Sequence, residues 1–185
     1  MRAFIAIDLP DALKGEIAKV QERLRSAGID ASWPRPEGMH LTLKFLGEID
    51  DARAAALARS LATALAGFDR FRIEVAGAGT FPNPAAARVV WLGIRGDTGA
   101  LIALQAAVER AAAGAGFAPE GRPFAPHLTV GRIKRIHRRE AWLRGLETAA
   151  HLRLPGFVVT AAALVSSELT PAGAVYRHCA NVPLR

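Results

Sequence analysis

Two stretches of this chain share one short frame. HLTLKFLG begins at His40, and HLTVGRI begins at His127, 87 positions further on. With five histidines, eight threonines and 51% hydrophobic residues, a His-apolar-Thr-apolar tetrapeptide is expected about 0.06 times by chance, so two of them are not an accident of composition. In an extended strand residues i and i+2 stand on one face, so His40 is beside Thr42 and His127 beside Thr129. Leu41, Leu43 and Phe45, like Leu128 and Val130, then point the other way, toward a core. Each frame offers an imidazole and a hydroxyl side by side on a rigid element. With an ordinary pKa of about 6.5, a pair of imidazoles near neutral pH can hold one charged and one neutral member. One takes a proton from attacking water, the other gives one to the departing oxygen, and the hydroxyls hold the non-bridging oxygens. That is the equipment for in-line displacement at phosphorus without a metal, and a strained cyclic phosphate suits it. The sequence symmetry leaves open which histidine is acid and which is base.

The remaining candidates are weaker. Two histidines with no third ligand at metal-binding spacing make an incomplete zinc site. His137, His151 and His178 lie outside the frame and read as surface or packing residues. Lys44 is in phase with His40 and Thr42 and reads as a solvated lysine, with a reach to the cleft rim the alternative. Phe45, Phe124, Trp33 and Trp91 read as core residues, with base stacking the alternative for the two phenylalanines. Arg132 would face away from His127 under strict alternation. A bulge near Gly131 would turn it back, which leaves it between a substrate contact and a surface salt bridge.

The elements that must carry these residues are legible in outline. Ala3 to Ile7 form an apolar run, too short for a signal-peptide core, and predict a buried first strand. Leu13, Ile17, Val20 and Leu24 recur at helical spacing, with Gly28 as a stop. Prolines lead into the first frame, and Asp50 or Asp51 can cap a helix with Leu57, Leu61 and Leu65 inside. RFRIEVAGA alternates as a half-buried strand. RVVWLGI reads as a strand buried on both faces. A helix bearing Leu101, Leu104 and Val108 follows, then a second proline-led entry into the second frame, and a basic segment, KRIHRREAW, helical from about Arg138. Residues 152–184 read as two or three strands around a turn region at 166–173. Strand, helix, proline entry, His-x-Thr strand and helix therefore occur twice. The expectation is an α+β fold of two pseudo-symmetric lobes, antiparallel-rich sheets with outer helices around a central cleft, in one compact unit of residues 1–185.

Composition narrows the partners. Of 185 residues, 24 are Lys or Arg and 17 Asp or Glu, giving a formal charge of +7. Such an excess suits a phosphate-bearing partner and equally a basic surface kept for solubility. One cysteine, Cys179, gives no disulfide framework and points to a reducing compartment. The longest apolar stretches fall short of a bilayer span. These features lead us to expect a cytoplasmic, soluble monomer with no membrane partner.

The residues resemble the 2H phosphoesterase superfamily, and within it the RNA 2′,3′-cyclic phosphodiesterases once described as 2′-5′ RNA ligases. The likeness runs through MRAFIAIDLP, GMHLTLKFLGEI, GTFPNPAAARVVWLGI and RPFAPHLTVGRI, and weakens after Ile133. It implies a bilobal fold with one frame from each lobe, no cofactor, and RNA or oligonucleotide ends bearing a cyclic phosphate as substrate. It further implies His40 as proton donor to the leaving 3′ oxygen, His127 as proton acceptor from water, Thr42 and Thr129 as phosphate-binding residues, and Arg132 as a phosphate or ribose contact. Reversible 2′-5′ joining of RNA follows from the same chemistry run backwards. A non-catalytic RNA-end binding module is the alternative from another class.

Overall fold

A computed structural model describes residues 1–170 and 173–185. The chain opens with β1 (Arg2–Asp8), α1 (Asp11–Arg25), β2 (Ile29–Ser32), β3 (His40–Glu48), α2 (Asp51–Leu65), β4 (Phe71–Phe81) and β5 (Val89–Gly96). It continues with α3 (Thr98–Gly114), β6 (His127–Ile136), α4 (Arg139–Ala150), β7 (Phe157–Val159), β8 (Ala161–Thr170) and β9 (Gly173–Pro183). The strands form two antiparallel sheets, ordered β3-β1-β8-β9 and β2-β6-β5-β4-β7. In each, the His-x-Thr strand pairs with an earlier strand of its own half, β3 with β1 and β6 with β5. The expected α+β class holds, with two antiparallel sheets that each carry one His-x-Thr strand.

Local chemistry accounts for the elements. The Asp50 side chain accepts from Arg53 N at 2.7 Å and starts α2, while Asp97 does the same for α3 from Ala100 N at 2.9 Å. Gly28, at φ +80°, takes the left-handed turn that separates α1 from β2. Leu13, Ile17, Val20 and Leu24 of α1, Leu57, Leu61 and Leu65 of α2, and Leu101, Leu104 and Val108 of α3 are all buried. They join Ile5, Ile7, Leu41 and Leu164 of the first sheet and Ile73, Val75, Val90, Leu92 and Leu128 of the second in one apolar cluster. A smaller cluster, Phe4, Ala6, Ala163 and Val165, lines the opposite face of the first sheet. Among the described residues, no helix is long and apolar enough to cross a membrane.

Two expectations give way. β5 is not buried on both faces: Val90, Leu92 and Ile94 meet the core, whereas Val89, Trp91 and Gly93 are only half-buried on the other side. The segment at 166–173 is no turn at its start, because β8 continues through Thr170, Ser166 pairing with Arg177 and Ser167 with Tyr176. Residues 171 and 172 of that stretch lie outside the described residues. α4 starts at Arg139, one residue past the expected position, and buries Trp142 completely.

Candidate active site

His40 and His127 are the first residues of β3 and β6. Each follows a proline-containing entry that bends the chain so that the imidazole folds back on its own backbone. His40 Nδ1 is 2.9 Å from Gly38 O, and His127 Nδ1 is 2.7 Å from Ala125 O, the carbonyl two residues upstream in both cases. A carbonyl can only accept, so Nδ1 must carry the hydrogen, which leaves Nε2 as the working nitrogen of each ring. Thr42 and Thr129 lie two residues on, half-buried like the histidines. Neither hydroxyl has a hydrogen-bond partner among the described residues. Leu41, Leu43, Leu128 and Val130 are buried on the opposite face, as alternation requires.

Alternation then breaks, at the same place in both strands. Against β1, Thr42 pairs with Ala6, Lys44 with Ile5 and Phe45 with Phe4, so β3 carries one extra residue at Leu43. Against β5, Thr129 pairs with Trp91, Gly131 with Val90 and Arg132 with Val89, so β6 carries its extra residue at Val130. Each bulge swaps the faces beyond it. The residue five positions after each histidine therefore returns to the histidine's side: Phe45, 69% exposed, in one half and Arg132, also exposed, in the other. The bulge near Gly131 that Arg132 needed is present. A Cβ on Gly131 would come within 2.8 Å of Val90 Cγ1 and 3.0 Å of Trp33 Cζ3, so a side chain at the turn-over point would have to displace Val90.

The same bulge corrects the expectation for two residues of β3. Lys44 is not at the cleft rim. It is buried on the core side, its Nζ 2.6 Å from Glu109 Oε1 and 2.9 Å from Ala118 O. Phe45 is accordingly not a core residue. Each bulge leaves a main-chain carbonyl to a glutamine from a helix distant in sequence. Gln21 of α1 donates to Val130 O at 2.9 Å and to Pro34 O at 2.9 Å, and Gln105 of α3 donates to Leu43 O at 3.3 Å.

Aromatic rings surround both imidazoles. Phe4 stacks on His40, centroids 4.3 Å apart and planes 21° apart, and Tyr176 of β9 meets His40 edge-on at 5.3 Å. Phe81 meets His127 edge-on at 5.1 Å and packs on Trp91 at 5.4 Å. Trp91 thus belongs to the histidine side of its sheet rather than to the core, with its ring lying over Gly79. Trp33 and Phe124 pack partly buried against the core, as expected. Burial lowers the His40 pKa from its ordinary value. The Gly38 hydrogen bond and the Asp8 charge act against that shift, and Lys14 adds to it.

His178, read as a surface or packing residue, is half-exposed, and its Nε2 is 3.1 Å from Asp8 Oδ2, with Asp8 the register partner of His40 across β1 and β3. His137 and His151 are both exposed. Sequence reasoning does not find Tyr176 and Phe81, because nothing in their local pattern sets them apart. Their contacts are fixed by sheet order, which puts β9 in the sheet of His40 and β4 beside β5. Among the described residues, no three His, Cys, Asp or Glu side chains gather as metal ligands.

The fold is shared with solved structures. A Thermus thermophilus protein, TT0787, superposes with a TM-score of 0.80 at 26% identity, covering 100% of this chain and 98% of that one. The Escherichia coli LigT complexed with 3′-AMP superposes with a TM-score of 0.74 at 27% identity, covering 99% and 97%. Two sheets with a His-x-Thr strand in each are thus matched over the whole chain by such structures. The family model for LigT-like phosphoesterases matches residues 7–91 and again 93–176, each match containing one His-x-Thr frame. Curated relatives named RNA 2′,3′-cyclic phosphodiesterase include those of Methanothermobacter thermautotrophicus, 35% identical over 176 residues and 95% of both chains, and Thermotoga maritima, 34% identical over 177 residues, 96% of this chain and 92% of that one. The chain belongs to the LigT-like phosphoesterase family.

Proposed function

We propose that the chain hydrolyses RNA 2′,3′-cyclic phosphate ends to 2′-phosphomonoesters, without a metal, by acid-base catalysis between His40 and His127. The observation that carries this reading is the pair of matched Nδ1 to carbonyl contacts. They present two Nε2 atoms in equivalent frames, each beside a hydroxyl that has no other partner among the described residues. The names of the curated relatives support the substrate class.

In the proposed reaction Thr42 and Thr129 donate to the non-bridging oxygens of the cyclic diester. Neutral His127 takes a proton at Nε2 from water as the water oxygen bonds to phosphorus. The P–O3′ bond breaks on the opposite side, and O3′ takes the proton from Nε2 of charged His40. The product keeps its phosphate on O2′, and the two histidines end with their protonation states exchanged. The donor role for His40 follows the family resemblance. A pKa lowered by burial makes its imidazolium a stronger acid toward the departing alkoxide, and the charge of a bound phosphodiester would help it hold the proton until transfer. In this reading the exposed Arg132 meets a phosphate or ribose oxygen, and the exposed Phe45 stacks on a base.

Phosphorus NMR of products from a 2′,3′-cyclic nucleotide, run with chelator, tests the reaction and the oxygen that leaves. A 2′-phosphomonoester is expected, and His40→Ala and His127→Ala are each expected to lower kcat by about 10²- to 10⁴-fold. A 3′-phosphate product, or full activity in either variant, would refute the mechanism.

A further inference from the structure

The basic run KRIHRR is not used by the reaction above. β6 does not stop at Arg132 but continues to Ile136. Its pairing with β2 places Ser32 opposite Arg132, Ala31 opposite Ile133, Asp30 opposite Arg135 and Ile29 opposite Ile136. A second register shift lies between Asp30 and Ala31, so Lys134 is the extra residue there. Ile133 and Ile136 pack partly buried against the core together with Ala31. Arg132 and Arg135 consequently share the opposite face, and Lys134 protrudes between them, all three exposed. None of these three cations has a hydrogen bond or an ion pair among the described residues, although Asp30 faces Arg135 in register. At roughly 3.3 Å per residue, Arg135 stands about 10 Å beyond Arg132 along the strand. Unpaired cations on the same strand as His127 and Thr129, leading outward from them, complement a polyanion whose end lies at those residues.

We propose that this outer part of β6, with Arg132, Lys134 and Arg135, is the track for the RNA strand upstream of its cyclic-phosphate end. The inference rests on the function proposed above and extends it from the terminal nucleotide to the polymer. The contacts are to backbone phosphates, so the track favours longer RNA without favouring a sequence. A cyclic mononucleotide does not reach Lys134 or Arg135.

The test compares kcat/KM for a 2′,3′-cyclic mononucleotide and for an oligoribonucleotide of about ten residues with the same end, across a range of salt concentrations. For Lys134→Gln/Arg135→Gln, the oligonucleotide value is expected to fall roughly tenfold at low salt. Its log-log salt slope should become shallower by about 1.4, the loss for two single-strand phosphate contacts. The mononucleotide value should stay as in the wild type. As a control, Arg23→Gln/Arg144→Gln removes the same charge from exposed positions on α1 and α4. Equal losses on both substrates, an unchanged oligonucleotide slope, or the same slope change in the control pair would each overturn the track. If the wild type turns over neither substrate, the hydrolytic reading fails separately. The track is then judged by fluorescence anisotropy of the same oligonucleotide, where an unchanged salt slope overturns it. Retention of the variant's RNA slope together with loss of binding to phosphatidylserine vesicles would also overturn it, in favour of a membrane-facing patch.

Discussion

Replacing Lys44 with methionine probes the clasp behind the first His-x-Thr strand. Lys44 Nζ lies 2.6 Å from Glu109 Oε1 and 2.9 Å from Ala118 O, and the same Glu109 oxygen accepts from Glu120 N at 2.6 Å. The strand of one frame is thereby tied to α3 and to the segment that leads into the other frame. The Lys44 side chain is 3% exposed and that of Glu109 is 20% exposed. Glu109 Oε2 is buried with no partner among the described residues, so loss of the ammonium would leave a carboxylate with little to satisfy it. Removing one member of a buried pair costs about 3–5 kcal/mol, and the partial exposure of Glu109 places this case near the lower end, about 3 kcal/mol. For a chain of this size that corresponds to a Tm lower by roughly 6–12 °C. Methionine nearly fills the space of the lysine stem, so a cavity adds little. Calorimetry of wild type, Lys44→Met, Glu109→Gln and the double variant would measure the single losses and the coupling between them. The double variant is expected to regain at least about 1 kcal/mol over the sum of the singles, because the uncompensated charge is gone. A Lys44→Met shift under about 2 °C, or strictly additive losses, would refute the picture of a desolvated clasp.

Two further outcomes follow from the site. Gln21→Leu strands the buried carbonyl of Val130 and that of Pro34, and it should cost about 1–3 kcal/mol in denaturant unfolding. It should also lower kcat/KM, because the bulge it supports aims Arg132; a stable variant with wild-type kinetics would sever that link. The second outcome concerns pH. Activity that needs charged His40 falls as pH rises through its pKa, which burial holds below the ordinary 6.5, and the neighbouring Asp8 charge opposes that shift. Asp8→Asn should therefore move both the imidazole titration of His40, followed by NMR, and the alkaline limb of kcat/KM to lower pH. An upward movement of either would contradict the electrostatics.

The placement of the side chains in the two frames is legible in the sequence because it depends on the simplest rule of strand geometry, alternation over three residues. His40 with Thr42 and His127 with Thr129 need nothing more. The rule fails one step further on, where an inserted residue reverses the faces. Gly131 hints at that in β6, since glycine is a usual mark of a bulge, but Leu43 and Lys44 carry no such mark in β3. Alternation therefore puts Lys44 in water when it is buried, and Phe45 in the core when it is exposed. Trp91 misleads for a related reason. A run of apolar residues does not say which of its faces meets a helix and which meets an open cleft. The approach of His178 to Asp8 is invisible in the sequence, because it depends on the order of β1, β8 and β9 in one sheet.

The exchanged glutamines bear on how the two halves depend on one another. Gln21 belongs to the first half and secures the bulge of the second, while Gln105 belongs to the second and secures the bulge of the first. Neither half contains the glutamine donor that finishes its own histidine strand. A fragment cut between the two family matches would keep its motif in sequence and lose the support that shapes it. A cut there would also sever β5, so both frames are completed only within one continuous chain.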